Sequence, residues 1–156
     1  MSQPEQDRPN IIALPPLIFL ACLGVGAALH LATPFRLTGA WLLRSAGGVM
    51  MLAAGIIASV AARVMRKAGT HIRPDKPTTV IVASGPYRFT RNPMYLSLCL
   101  LNAGIGLLAR SPAILILTAA LLAVLHFGVI LREEKYLAKK FGPTYLDYCN
   151  RVRRWF

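Results

Sequence analysis

The chain has 156 residues, 55% hydrophobic and 15% charged, with a mean hydropathy of +0.51. A soluble domain carries about 25% charged and about 45–50% apolar residues, so this composition excludes disorder, a nucleic-acid arm and an ordinary soluble enzyme domain. In so apolar a chain, a net charge of +12 from 18 Lys and Arg against 6 Asp and Glu points to basic residues gathered on one side of a bilayer rather than to DNA.

The length fits one domain, and residues 1–156 read as a single membrane domain. The first ten residues, MSQPEQDRPN, are polar and mixed in charge. They lack the basic start and A-x-A site of a cleaved leader, so the first apolar run is expected to stay in the protein. That run covers 11–32 without a charge. At about 1.5 Å per residue it reaches ~33 Å, enough for a ~30 Å hydrocarbon core. Pro15 and Pro16 fall in its first turns, where a missing N–H costs least.

Residues 33–39 read as a short loop. A second run covers 45–64, with Trp41 and Arg44 before it as interfacial anchors. Gly24/Ala28, Ala54/Ala58 and Gly55/Ser59 are small-xxx-small pairs of the kind that let helices approach closely in lipid, within one chain or in a homodimer. Residues 66–92 are too polar to span and too long for a simple turn. Within them Thr78-Thr79-Val80-Ile81-Val82-Ala83 is extended in character.

Residues 93–131 are apolar except for Arg110-Ser111-Pro112, which predicts a hairpin of two spans, 94–109 and 112–131. The first arm, ~24 Å long, is short for a span and draws Arg91 and Asn92 toward the bilayer. One helix is expected from Pro112 to about Phe141. Gly142-Pro143 breaks it, and a short amphipathic helix follows to about Arg153.

The fold class is therefore all-α: an integral-membrane bundle of four transmembrane helices, a cytoplasmic loop and a C-terminal amphipathic helix. With both termini on one side, Arg36, Arg44 and Arg110 are the basic residues on the opposite face, and the other fifteen of the 18 share the first. That asymmetry predicts cytoplasmic termini, loop and tail, in the inner or plasma membrane if the source is prokaryotic. Cys22, Cys99 and Cys149 are spaced for neither a disulfide framework nor a metal site, so no metal is expected.

Two polar clusters carry the chemistry of the cytoplasmic face. The first is GPYRFTRNPMY, residues 85–95. Pro93 makes Asn92 extended and starts a helix. Two readings fit: a capped helix start whose Arg88 and Arg91 reach lipid headgroups, or an anion site built from helix N–H groups, two arginines and the Tyr95 hydroxyl. The second cluster contains Glu133 and Glu134. On one reading these acids pair with juxtamembrane cations. On the other, one of them faces the bundle and accepts from ribose hydroxyls or a cation; adjacent residues point ~100° apart, so both cannot. His126, seven residues before Glu133, reads as a packing histidine or a base. Asn102 is expected to hydrogen-bond between helices.

The first motif, a helical hairpin, and then EEKYLAKKFGPTYLDYCNRVRR (residues 133–154) together resemble the isoprenylcysteine carboxyl methyltransferases and their bacterial and archaeal relatives, with parts shared by phospholipid N-methyltransferases. The resemblance covers about 69–154. It implies an integral-membrane enzyme using S-adenosylmethionine, with S-adenosylhomocysteine as product, on a lipophilic acceptor, a carboxylate or an amine, reached from the bilayer. Carried over by position, it implies cofactor contacts at Thr79, Val80, Ile81 and Val82 through backbone, at Tyr87, at Asn92, Pro93, Met94 and Tyr95, and at Glu133. Arg91, Asn92 and Glu134 are the catalytic candidates, with Glu134 or His126 as base for an amine or alcohol acceptor. The family often has His where Asn92 stands, and its prenylcysteine enzymes have an arginine where Val129 stands. The partners expected are membrane lipids and a lipophilic substrate, not nucleic acid. The alternative is a small non-enzymatic membrane protein, a transporter or scaffold, whose cytosolic face binds anionic lipid.

Overall fold

The computed structural model describes residues 9–73 and 76–155; Asp75, the single acid of the polar loop, lies outside them. Those residues form helices α1 (Pro15–Ala32), α2 (Ala40–Lys67), α3 (Pro93–Leu108), α4 (Pro112–Leu125), α5 (Leu131–Phe141) and α6 (Pro143–Arg151). A 3-10 turn spans Gly85–Arg88, and a π-helical turn at His126–Ile130 joins α4 to α5. No strand forms among the described residues. The 78–83 stretch stays irregular because nothing pairs with its backbone as a ladder.

Four of the six helices begin at a proline (α1, α3, α4 and α6). Its fixed φ suits the first helical turn, and its absent N–H is not missed there. In α1 this moves the start from the apolar boundary at Ile11 to Pro15. α2 runs past both ends of its apolar core, from Ala40 to Lys67. α4, the π turn and α5 form one unbroken 30-residue apolar helix. Gly142 ends it at φ +53° and ψ −129°, a backbone state that a side chain strains. By length and composition, Pro15–Ala32, Ala40–Lys67 and Pro112–Phe141 can each cross a bilayer, and Pro93–Leu108 is a shorter apolar helix.

α2 packs chiefly on α3, α1 on α4, and α3 on α4. The main core joins Ile18 and Phe19 of α1, Tyr95 and Cys99 of α3, Leu121 and Leu125 of α4, and Val129 and Ile130 of the π turn. Leu17, Leu20, Val25, Leu42, Val49, Leu52 and Ile56 point outward and are more than half exposed. An apolar patch of that extent would be untenable in water and is what lipid covers.

Of the three small-residue pairs, Ala54/Ala58 faces inward, with Ala54 buried, and the other two face outward. Gly24 and Gly55 have nothing near their Cβ positions, and Ala28 and Ser59 are exposed beside them. The close crossing is Gly47 of α2 against Gly104 of α3, where a Cβ on Gly47 would sit 2.6 Å from the Gly104 carbonyl oxygen and 2.8 Å from Leu108 N. Hydropathy does not say which small residue faces a neighbour; the crossing angle does. Gly47→Ala is expected to destabilise the protein by about 1–3 kcal/mol because backbone must move. Gly55→Ala should leave the melting temperature unchanged. Thermal melts of both variants in detergent check this.

Asn102, fully buried, donates from Nδ2 to the Thr118 hydroxyl at 2.8 Å and the Ile114 carbonyl at 3.3 Å, linking α3 to α4. The π turn has a tertiary cause. The Ile12 N–H donates to the Gly128 carbonyl at 3.3 Å, and Ile12 lies over Gly128 where any Cβ would collide with it. A widened turn frees a carbonyl, and an outside donor takes it.

The two ends of the bundle are each tied together. At one end Leu37 N–H donates to Arg110 O at 3.0 Å, joining the α1–α2 loop to the α3–α4 turn. At the other, the Arg132 guanidinium donates to Asn10 O, and Arg91 N–H donates to Arg153 O. The N-terminal approach, the polar loop, the start of α3 and the tail thus meet at that second end.

Candidate active site

A cavity of about 430 Å³ opens at that second end. Its size is in the range of small-molecule sites. The loop contributes Val80, Ile81 and Val82, the 3-10 turn Tyr87, the α3 start Arg91, Asn92, Pro93, Met94 and Tyr95, and α5 Glu133 and Glu134. Both polar clusters therefore meet in one cavity. Thr79 is not part of its wall: its N–H donates to Thr70 Oγ1 and its hydroxyl to Gly69 O, closing the loop on itself, while Thr78 lines the cavity.

The α3 start is built by Pro93. Asn92 stands at the N-cap position, but its side chain caps nothing. It donates from Nδ2 to Arg154 O at 3.1 Å, and its carbonyl accepts from Leu96 N–H. Early helix N–H groups have no partner within the helix, and here they border the cavity at Met94 and Tyr95.

One turn further, the buried Tyr95 hydroxyl donates to Glu133 Oε1 at 2.7 Å. This bond spans 38 residues of chain and joins the two clusters directly. The adjacent acid lies differently. Glu134 accepts from Arg154 at both oxygens, Nε to Oε1 at 3.0 Å and Nη2 to Oε2 at 2.6 Å. Arg91 Nη1 stands 3.4 Å from Glu134 Oε1, with the two side chains 12% and 15% exposed. Both acids line the cavity, which the expectation that one of them alone would face inward did not allow; their partners differ, Glu134 being paired with Arg154 and Arg91 and Glu133 bonded to Tyr95. That division follows from their ~100° separation on α5.

Arg91 has a second feature. Nη1 also points at Cys149 Sγ, but Nε is buried and has no hydrogen-bond partner among the described residues. A buried guanidinium N–H left without a partner is costly.

The remaining wall is aromatic and apolar. Tyr148 donates to Tyr87 O at 2.8 Å. Burial first, then the neighbouring Tyr148 and Glu133, pushes the Tyr87 hydroxyl far above its ordinary value. Burial likewise raises Tyr148, with the Arg91 charge opposing it, and raises Tyr145, with Glu134 adding to the shift. All three stay protonated donors at neutral pH. The hydrogen bonds to Glu134 raise the Arg154 guanidinium further above its already high value.

His126 does not line the cavity. Trp155 Nε1 lies 3.4 Å from His126 Nδ1 and donates to it, with the rings stacked at 6.3 Å. The π turn between His126 and Glu133 breaks the seven-residue register that put them on one face. No cluster of His, Cys, Asp and Glu able to hold a metal forms among the described residues.

Several wall residues were not singled out from sequence as site residues. Tyr136 and Leu137 line the cavity from α5, and their spacing of three and four from Glu133 was a usable signal. Tyr145 and Tyr148, three apart on α6, carried the same signal. Leu14, Pro15 and Pro16 also line it, and nothing in their local sequence marks them.

A family model described as phospholipid methyltransferase matches residues 43–144. The chain is 31% identical over 81 residues to the cobalt-zinc-cadmium resistance protein CzcN of Cupriavidus metallidurans, covering 52% of this chain and 37% of that protein. It is 28% identical over 81 residues to the nickel-cobalt-cadmium resistance protein NccN of Alcaligenes xylosoxydans xylosoxydans, covering 52% and 38%. It is 34% identical over 73 residues to the protein-S-isoprenylcysteine O-methyltransferase of Saccharomyces cerevisiae, covering 47% and 30%. The matched stretch is thus about a third of each relative's own length. The family match takes in both halves of the cavity and covers well over half of the chain. With its apolar helices and its paired motifs, this integral-membrane protein belongs to the phospholipid methyltransferase family of membrane methyltransferases.

Proposed function

We propose that the protein is an S-adenosylmethionine-dependent methyltransferase that methylates a lipophilic acceptor, a carboxylate or an amine, drawn from the bilayer. The observation that carries the reading is the 2.7 Å hydrogen bond from Tyr95 to Glu133, which places both motifs on one cavity beside a buried arginine N–H without a partner. In this reading the chain makes four spans, with both termini and the cavity on the cytoplasmic side, because the basic residues concentrate at that end.

The residues fit the cofactor by chemistry. The Arg91 guanidinium and the first N–H groups of α3 suit an amino-acid carboxylate. Glu133 keeps a second oxygen for ribose hydroxyls. Val80, Ile81 and Val82 offer an apolar wall for adenine. When bound, the cofactor supplies a methyl carbon activated by its sulfonium, which an acceptor lone pair takes as the carbon–sulfur bond breaks and its electron pair returns to sulfur. The chain then supplies alignment and exclusion of water, worth up to about 7–11 kcal/mol in favourable cases.

Glu134 is a poor base in this arrangement, because guanidinium groups occupy both its oxygens; it orders Arg91 instead. A carboxylate acceptor needs no proton removed. An amine acceptor must arrive neutral or lose its proton to solvent at the cavity mouth. Val129, where the prenylcysteine enzymes have an arginine, is fully buried in the core and offers a carboxylate nothing.

The test is methyl transfer. Purified protein in nanodiscs made from a native lipid extract is incubated with methyl-tritiated cofactor, and label is counted in the organic phase. Label in lipid, abolished by excess S-adenosylhomocysteine, is the expected result. The reading falls if the protein neither binds the cofactor nor labels any lipid, and instead shows only salt-sensitive affinity for anionic liposomes.

A further inference from the structure

Arg154 lies in coil beyond the end of α6, at the last position of the second motif and 62 residues beyond Asn92 of the first. Its backbone and side chain act on different partners. The Arg154 carbonyl accepts from the Thr90 hydroxyl at 3.0 Å and from Asn92 Nδ2 at 3.1 Å. The preceding carbonyl, of Arg153, accepts from Arg91 N–H at 3.0 Å. The three residues before Pro93 are thus each held by the tail. The following residue, Trp155, bonds to His126 and packs on the main core, so the tail is anchored on both sides of Arg154.

The guanidinium does something separate. It clamps Glu134 at both oxygens, on the acid that Arg91 also faces. Two guanidiniums and one carboxylate leave this triad with one net positive charge. Without the Arg154 charge, Glu134 competes undiluted for Arg91, and the net charge beside the cavity falls to zero. A bound carboxylate would then meet an arginine already neutralised.

We propose that Arg154 is a positioning residue for the carboxylate end of the pocket: it holds Glu134 so that Arg91 keeps both its place and its positive excess toward the ligand. The assignment rests on the cofactor reading above and extends it to a residue that is not among those lining the cavity. It touches no ligand itself, so its effect is confined to ligands that carry the amino-acid carboxylate.

The experiment compares two nucleosides on full-length protein in nanodiscs by titration calorimetry. S-adenosylhomocysteine carries the carboxylate; 5′-methylthioadenosine has the same thioether nucleoside without it. Arg154→Gln leaves the carbonyl contacts in place and is expected to weaken the first ligand by about fivefold to tenfold. The lower bound reflects a side chain that is 34% exposed and partly screened. The second ligand should bind as it does to wild type. Arg154→Lys, which keeps the charge and loses the two-point clamp, should recover part of the loss, and it carries the test if the glutamine variant does not fold. Equal weakening of both ligands would mark a merely structural role and overturn the proposal, as would no change in either. If wild type binds neither nucleoside, the cofactor reading itself fails and the assignment with it.

Discussion

Glu133→Ala is expected to weaken S-adenosylhomocysteine binding by about a hundredfold or more, measured by calorimetry on protein in nanodiscs. Two losses combine. The charge-assisted acceptor for ribose hydroxyls goes, at about 1.5–3 kcal/mol. The Tyr95 hydroxyl, buried and bonded to that acid at 2.7 Å, is left without its acceptor, at about 1–3 kcal/mol. Glu133→Gln keeps an acceptor oxygen and the shape, and should fall between. Tyr95→Phe removes the donor alone and should cost about tenfold, since Glu133 keeps its ligand-facing oxygen. Wild-type affinity in Glu133→Ala would remove the acid from the site and leave the joined motifs without a chemical purpose.

Arg91→Ala is expected to act on both binding and stability. Its side chain is 12% exposed and pairs with Glu134, and the residue lines the cavity. Arg154 still holds Glu134 after the substitution, so the structural cost should stay near 1–3 kcal/mol, below the about 3–5 kcal/mol of stranding a buried charge outright. The binding cost is larger, because the ligand carboxylate loses its principal cation. Binding of S-adenosylhomocysteine should drop by at least about fiftyfold, and 5′-methylthioadenosine by far less. Arg91→Lys should recover stability better than affinity, because an ammonium replaces the charge but not the directed N–H. Melts and titrations on the same preparations separate the two effects. A variant that melts early yet binds both ligands normally would show that Arg91 only braces Glu134.

Much of the helical layout was legible from residue order. Prolines at positions 15, 93, 112 and 143 start helices for a purely local reason, and Gly142-Pro143 ends one for the same kind of reason. The partners of Asn102 across α3 and α4 follow from the cost of an amide in an apolar helix. The glycine contacts were not legible in this way. Gly24 and Gly55 belong to small-xxx-small pairs and Gly47, with Leu43 and Met51 four residues away on either side, does not; only the crossing of α2 on α3 decides which of them meets a neighbour. The π turn was hidden too, because Ile12, which occupies the Gly128 carbonyl, is more than a hundred residues away.

Sequence by itself settled that this is an apolar helical chain with two polar motifs separated by a hairpin. Those features depend on composition and on contacts within a few residues, which any reading of the chain contains. Tertiary structure alone decided how the adjacent acids divide their work. Glu133 meets Tyr95 while Glu134 is clamped by Arg154 and Arg91, because α5 turns one carboxylate to α3 and the other to a tail that returns from twenty residues further on. Electrostatic partnership depends on distance in space, and for these residues that distance is set by how the helices pack.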